Sequence, residues 1–290
     1  VDSRVVVILE TEKDLQRFGY PLPDRVLASV IDHLVSARAK VVGIDKYRDL
    51  PVPPGTGELE KALTSHPEVL WITKVSLHEG GGVNAPAALR GSNRVGFNDI
   101  VADPGGSIRR GLVYLNDREG NVHYAFSLLL AGRYIGLRDN LIGPSPESPD
   151  WIRIGKTSVA ALEPWQGGYA GADTSGYQYM LDFRGMPTPF SQFTLSELLD
   201  GKVPPAAIEG KMVLFGTRAE SLNDFFHTAF DREGEEETRM PGVVVQAQAA
   251  SQLLRLMLGE SRPIGALPGN WGGVLILLWG IGGALLAWQT

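Results

Sequence analysis

The C-terminal end of the chain constrains its architecture more than any other segment. After Arg262 the sequence holds no charged residue, and Trp271–Trp288 reads WGGVLILLWGIGGALLAW. At about 1.5 Å per residue, a helix over this run is about 27 Å long, close to the hydrocarbon thickness of a bilayer. Tryptophans stand at both ends, where indole rings favour the headgroup layer. The run therefore predicts one transmembrane helix, and the alternative is a buried helix of a soluble core.

The small residues of this run favour the membrane alternative. Each glycine in the interior of a soluble helix costs about 0.8–1 kcal/mol relative to alanine. In a membrane, the spacing of Gly280 and Ala284 lets two helices approach closely. We therefore divide the chain into a soluble body (1–262), a linker (263–270) and a transmembrane helix (271–290).

The body has the composition of a folded domain, with 21% charged and 43% hydrophobic residues. Its net charge of −6, without a block of Lys or Arg, argues against a nucleic-acid partner. The absence of cysteine excludes disulfides, thiolate catalysis and cysteine metal sites. Because the chain opens on Val1 rather than Met, we expect that a signal peptide or a first membrane helix precedes it.

Apolar runs in the first and last thirds of the body predict an α/β fold. Continuous β-branched runs are typical of parallel strands that are buried on both faces. We expect a mostly parallel central sheet with helices on both faces, antiparallel additions and one C-terminal transmembrane helix. The predicted strands of one sheet are Arg4–Glu10, Lys40–Asp45, Glu68–Val75 and Lys211–Gly216, and the predicted covering helices are Asp24–Ala37, with Asp24 as N-cap, and Val243–Leu258.

The middle of the chain has a more antiparallel character, with shorter apolar runs between Gly- and Pro-rich turns. A capping box opens a short helix near residue 194, because a threonine there is followed three positions later by a glutamate. The predicted elements are strands Ser107–Leu115, Trp151–Val159 and Tyr177–Phe183, a helix His123–Tyr134, and the capping box Thr194–Glu197.

The chain carries no complete catalytic or metal-binding motif. The G-x-S-x-G and H-E-x-x-H patterns are absent, and the five histidines lack metal-ligand spacing. The acidic run Asp231–Glu237 lacks the spaced ligands of a calcium loop, so we expect a solvated loop there. We therefore predict no catalytic residue, no metal and no cofactor.

Four charged residues stand out as candidates for ligand contact. Asp45 ends a predicted strand, and Asp224 lies in the loop that follows Gly216. Arg109 and Arg110 follow the turn DPGGS. Each could instead have a structural role as a cap, a turn residue or a surface ion pair. Since strand ends border the crevice of an open α/β sheet, we predict that Asp45, Asp224 and Arg109 converge on one concavity.

The order of these blocks resembles the second type of CHASE domain, the extracytoplasmic sensory module of bacterial adenylate cyclases, histidine kinases and Ser/Thr kinases. Two features depart from the family pattern. Gln246 stands where the family commonly has His, and Lys46–Arg48 replaces a more apolar continuation. The blocks that carry the resemblance are Phe18–Pro23, Lys40–Asp45, Val95–Asn98 with Asp103–Arg110, Gly210–Gly216 with Asp224, and Pro241–Ala247.

The resemblance implies a non-catalytic sensor in the cell membrane, with residues 1–262 outside the cytoplasm. A conformational signal would pass through the membrane helix to a cytoplasmic cyclase or kinase domain that is not in this chain. The alternative is an accessory or structural subunit of a membrane complex that reuses the fold. The expected partners are the bilayer, through Trp271–Trp288, and a small ligand or protein that the sequence does not identify. A homodimer or a larger membrane assembly is also compatible with this interpretation.

Overall fold

The computed structural model describes residues 2–75, 81–185, 190–230, 239–265 and 269–289. The α-helices of these residues are α1 (Glu12–Phe18), α2 (Asp24–Ser36), α3 (Thr56–Ser65), α4 (Phe126–Tyr134), α5 (Leu195–Leu199), α6 (Pro205–Ile208), α7 (Gly242–Leu258) and α8 (Gly269–Gln289). The strands are β1 (Val5–Glu10), β2 (Val41–Ile44), β3 (Val69–Thr73), β4 (Val95–Phe97), β5 (Val101–Ala102), β6 (Ser107–Leu112), β7 (Tyr114–Asn116), β8 (Val122–Tyr124), β9 (Ile142–Pro144), β10 (Ile152–Ile154), β11 (Thr157–Val159), β12 (Gln178–Met180), β13 (Ser191–Thr194), β14 (Met212–Thr217), β15 (Phe225–Thr228) and β16 (Met240–Pro241).

A six-stranded parallel sheet forms the centre of the body, in the order β13-β1-β14-β2-β3-β4. Strands β1, β2 and β14 are buried along their whole length. Such strands need cover on both faces of the sheet, which explains their continuous apolar sequences. The prediction that the four apolar runs lie in one sheet is confirmed, with β14 between β1 and β2.

Two layers of helices cover this sheet. Helices α2, α3 and α5 form one layer, and α4 and α7 pack against each other in the second. The sequence permits this packing at Gly43, where an added Cβ would lie 2.8 Å from the side chains of Leu130 and Phe126 in α4. The predicted helices Asp24–Ala37 and Val243–Leu258 are confirmed as α2 and α7.

Antiparallel additions follow the parallel part, as expected, but two predicted strands are broken. The predicted strand Trp151–Val159 is a hairpin of β10 and β11, because Gly155 adopts a left-handed conformation with φ of 58° and reverses the chain. The predicted strand Ser107–Leu115 is interrupted at Val113, where β6 ends and β7 begins. Strand β6 pairs with β12 and β15, whereas β7 pairs with β8.

Of the helix starts predicted from the sequence, one is confirmed and two differ in the structure. The capping box at Thr194 is confirmed, since its side chain accepts a hydrogen bond from the Glu197 backbone N–H. The predicted helix from His123 begins later, at Phe126, because His123 pairs within β8 instead. Asp24 is the first residue of α2 rather than its N-cap, and its carboxylate accepts hydrogen bonds from the segment that leads from β2 into α3. The predicted acidic loop 231–237 lies outside the described residues.

Helix α8 carries the apolar run at the C-terminal end. Within it, Trp271–Trp288 is long and apolar enough to cross a membrane, and none of this span is buried in the body. The helix begins at Gly269, two residues before the predicted start. The lack of burial contradicts the alternative of a core helix.

Candidate ligand site at the carboxyl edge of the sheet

Polar side chains gather where the parallel strands end. Glu10 is the last residue of β1, Asp45 and Lys46 follow β2 directly, and Asn98 follows β4. Because these strands are parallel, their carboxyl ends meet at one edge of the sheet, the usual position of a ligand crevice in an open α/β fold. We call this group of residues, together with Asp224, the edge site.

Hydrogen bonds fix the Asp45 carboxylate within the edge site. The backbone N–H of Asp45 donates to the Phe215 carbonyl at 2.8 Å, which continues the pairing of β2 with β14. The Asn98 side-chain amide donates to the Asp45 carboxylate at 3.0 Å, and the Tyr47 hydroxyl donates to Asn98 Oδ1 at 2.7 Å. Gln246 of α7 completes the group, because its amide donates to the Asn98 backbone carbonyl at 3.0 Å.

Asp224 lies against the first residue of α7. A Cβ added at Gly242 would lie 2.6 and 2.7 Å from the two carboxylate oxygens of Asp224, so only glycine leaves room for this carboxylate. The Gly242 backbone N–H also donates to the Asp224 carbonyl at 3.1 Å. Helix N-termini favour negative charge, which offsets part of the cost of burying the carboxylate at this position. Asp224 therefore connects the edge site to the start of α7.

The edge site concentrates negative charge in a partly buried environment. Burial, and then the nearby Asp224 carboxylate, raises the pKa of Asp45 to about 7. Burial also raises the pKa of Asp224, against the opposing effect of Lys46. Lys46 itself forms an ion pair with the buried Glu10. Since this lysine is already engaged by Glu10, neither aspartate has a dedicated cationic partner among the described residues.

The acidic groups are not arranged as a metal centre. Among the residues that the structure describes, no group of three or more His, Asp or Glu side chains could hold a metal ion. Two buried carboxylate oxygens near the edge, Glu10 Oε1 and Asp99 Oδ2, have no hydrogen-bond partner within the same residues. The arrangement suits an organic ligand that donates hydrogen bonds or carries positive charge.

The two candidate arginines lie in a second polar cluster, on the antiparallel sheet. Arg109 Nη1 and Arg110 Nε donate to the two oxygens of Asp103 at 3.0 and 2.8 Å. Arg110 also donates to Gln178 Oε1 at 2.8 Å, and Tyr169 donates to Asp103 at 3.2 Å. Arg110 and Asp103 are buried, so this cluster is a nearly self-satisfied ion pair that joins β6 to β12.

Of the four predicted site residues, the structure thus brings Asp45 and Asp224 together and gives both arginines another partner. The register of β15 explains the difference. Ile108 pairs with Thr228, four residues after Asp224, which corresponds to about 13 Å along a strand. Arg109 therefore lies beside the end of β15 that is farther from Asp224.

Sequence reasoning missed several members of the edge site. Glu10 ends an apolar strand in the same way as Asp45, and this signal was available in the sequence. Asn98 follows the short strand β4, whose three residues give little periodicity. Gln246, which borders the edge site, stands where the family commonly has His, but its contact with Asn98 depends on how α7 packs.

Fold and site together define an α/β domain with a polar site at the ends of its parallel strands, next to a helix that could cross a membrane. A family model described as the CHASE2 domain matches residues 1–285, and the chain belongs to this family. CHASE2 domains are extracytoplasmic sensory domains of signalling receptors rather than catalytic domains. No curated protein matches this chain, and no solved structure matches it either.

Proposed function

We propose that this chain is the sensor of a membrane-bound receptor and that a small ligand at the edge site controls the membrane helix through α7. The observation that carries the proposal is the position of α7. Its first residue contacts Asp224, and its last turn leads into the linker before α8. A helix of 17 residues is about 25 Å long, so α7 joins two distant regions of the body.

Burial of α7 supports a mechanical role. All but the last of its residues are buried, and it packs against α4, β1 and β14. Just beyond its far end, Glu260 forms an ion pair with Arg4, the residue before β1, at 2.9 Å. A shift of such a helix is transmitted along its length, because a close-packed interior does not absorb it.

Anchoring by α8 supports a membrane receptor. Its exposed surface consists of large apolar side chains, such as Trp279 and Leu286, which are 79% and 70% exposed. In water this surface would cost about 25 cal/mol per Å², whereas a bilayer covers it. The body then lies on the extracytoplasmic side, as in the family, and the helix leads towards a cytoplasmic output domain such as a cyclase or kinase.

The ligand works by differential binding. It can shift the receptor only by the difference between its affinities for two arrangements of the body. At the edge site, a ligand that donates hydrogen bonds or carries positive charge binds Asp45 and Asp224. Binding changes the position of the Asp224 carboxylate, which contacts Gly242. The start of α7 then adjusts to the bound state, and its far end moves the linker.

Hydrogen exchange tests the coupling without a known ligand. The full chain is compared with its Asp224→Asn variant in lipid nanodiscs, since this change removes the charge at the start of α7. We expect changed exchange at residues 259–265 as well as around residues 224 and 242. The matched control is Glu119→Gln, which neutralises an exposed carboxylate in the turn between β7 and β8. A change confined to the surroundings of residue 224 would contradict the proposal.

A flotation assay tests the anchor separately. The full chain should float with lipid vesicles and resist extraction by high salt, because its attachment is apolar. A Leu277→Arg and Ile281→Arg double variant should lose this attachment, since charges at the centre of a span are costly. Release of the unaltered chain by salt would count against membrane insertion.

A further inference from the structure

The linker between α7 and α8 forms one wall of a cleft of about 670 Å³. The β10–β11 hairpin forms another wall, and its tip is fixed to the end of α7. There the Lys156 N–H donates to the Met257 carbonyl at 3.1 Å, and the Thr157 hydroxyl donates to the Leu256 carbonyl at 2.7 Å. Ile264 of the linker pairs with Met180 of β12 in an isolated bridge. The cleft therefore lies between three elements that together set the course of the linker.

The interior of the cleft suits a hydrocarbon chain. Val159, Leu162 and Met180 line it, together with Trp151 and Ile264. The last two are large apolar residues, yet they are 37% and 45% exposed. Covering apolar surface gains about 25 cal/mol per Å², so an apolar occupant has a driving force for binding here.

Two buried hydroxyl groups in the lining lack partners. Tyr179 is 3% exposed, and neither its hydroxyl nor that of Ser261 has a hydrogen-bond partner within the described residues. An unsatisfied buried polar group costs about 1–3 kcal/mol. The Tyr179 hydroxyl lies over Gly111 of β6, where an added Cβ would be 2.9 Å from it. The Ser261 hydroxyl, on the linker side, can donate to an oxygen atom of a bound molecule.

The charges around the cleft are mainly positive. Lys156 and Arg262 belong to the lining and are exposed, and Glu147 is the acidic residue of the lining. Neither basic side chain has an ion-pair partner among residues that the structure describes. The cleft thus presents unpaired positive charge beside apolar walls, which is complementary to an amphiphile with an anionic head.

The position of the cleft indicates where such a molecule comes from. Gly265 of the lining is four residues before the start of α8, a distance of at most about 14 Å even in a fully extended chain. If α8 spans the membrane, as the proposed function requires, the cleft lies within reach of the headgroup layer.

We propose that this cleft binds a membrane amphiphile with one acyl chain and an anionic head, such as a fatty acid. The volume lies in the range of pockets for small molecules and favours one chain over two. The chain lies against Trp151 and Ile264, and the head contacts Lys156 and Arg262. Occupancy would hold the linker against β12, so lipid composition would act on the segment that α7 also controls.

Quenching of tryptophan fluorescence by dibromostearate tests this site in the full chain, in a mild non-ionic detergent. Bromine atoms quench an indole ring that they contact, and Trp151→Phe removes the indole of the cleft. We expect a saturable component of quenching, above the background from the exposed tryptophans of α8 in the micelle, that is lost in Trp151→Phe. We also expect at least tenfold weaker binding of the zwitterionic dibromostearoyl lysophosphatidylcholine. An equal saturable component in both proteins, or equal affinity for the two probes, would overturn the proposal.

Charge variants provide a second measurement. The double variant Lys156→Glu and Arg262→Glu should weaken dibromostearate binding at least tenfold. The matched control is Arg153→Glu, a charge reversal of an exposed residue on β10 outside the lining, and it should leave binding unchanged. Equal weakening by the control would overturn the assignment of the head position. Because the assay uses detergent, its failure is distinct from a failure of α8 to enter vesicles.

Discussion

At the scale of single residues, crowding of carboxylates defines the edge site. Asp45 and Asp224 are close enough for one charge to raise the pKa of the other, and Lys46 is paired with Glu10. Two like charges in a partly buried place disfavour full ionisation. Near neutral pH, repulsion between the two carboxylates therefore destabilises the edge site.

The raised pKa of Asp45 predicts that the free energy of unfolding depends on pH. The pKa of Asp45 is about 7 in the folded protein and about 3.8 when unfolded. Between these values the folded state holds a proton that the unfolded state has lost, so stability falls as the pH rises through this window. This fall in the free energy of unfolding is about 2–4 kcal/mol, and Asp45→Asn should abolish it. The variant should therefore be more stable than the parent above pH ~7. Urea unfolding of the full chain in detergent, repeated from pH ~4 to pH ~8, measures the effect.

Asp150→Asn is the control for this series, because Asp150 is exposed. It should keep the pH dependence of the parent protein. Identical slopes for Asp45→Asn and the parent would show that Asp45 titrates normally and that the edge site is not crowded.

At the scale of elements, the start of α7 depends on a glycine. Gly242→Ala would place a methyl group within 2.6 Å of the Asp224 carboxylate. We expect a loss of about 1–3 kcal/mol of stability, as for other overpacked positions. Adding Asp224→Ala should recover part of this loss, which makes the double-mutant cycle non-additive. Gly57→Ala in α3 is the control, and it should be neutral or stabilising because nothing lies within 4 Å of its Cβ.

The β10–β11 hairpin gives a second prediction for an element. Gly155 has φ of 58°, and an added Cβ would lie 2.5 Å from the Met257 carbonyl oxygen. Gly155→Ala should therefore strain the backbone and disrupt the contact with α7, and together these effects should lower the free energy of unfolding by about 2–4 kcal/mol. Gly136→Ala shares the positive φ but has nothing within 4 Å, so it should cost only about 1 kcal/mol. Equal losses in thermal melts would contradict a docked hairpin.

The same elements show what sequence could predict. The strands of the parallel sheet could be predicted because β1 and β14 are buried on both faces and are therefore apolar up to their polar last residues, Glu10 and Thr217. The hairpin at Gly155 was missed, because its reversal depends on one left-handed residue within an apparently continuous strand. At the site, Asp45 was found from its strand end. In contrast, the pairing of Asp103 with both arginines could not be predicted, because it depends on how the turn between β5 and β6 folds.

At the scale of the whole molecule, α7 connects two ends of the body. The edge site lies at its start. Just beyond the opposite end, Glu260 forms an ion pair with Arg4, the residue before β1, at 2.9 Å. The linker to α8 leaves from this second end. The proposed ligand of the edge site and the proposed amphiphile of the cleft thus act on the same helix from opposite ends.

The most direct test is a distance measurement between the body and α8. Because the chain has no cysteine, Glu60→Cys in α3 and Leu277→Cys in α8 can carry a pair of spin labels without background. The distance distribution is recorded in nanodiscs with and without Asp45→Asn and Asp224→Asn, and with Glu119→Gln, an exposed residue between β7 and β8, as the control. We predict that neutralising the edge site shifts the distribution and that the control does not. Identical distributions in all the proteins would contradict the coupling of the edge site to the membrane helix.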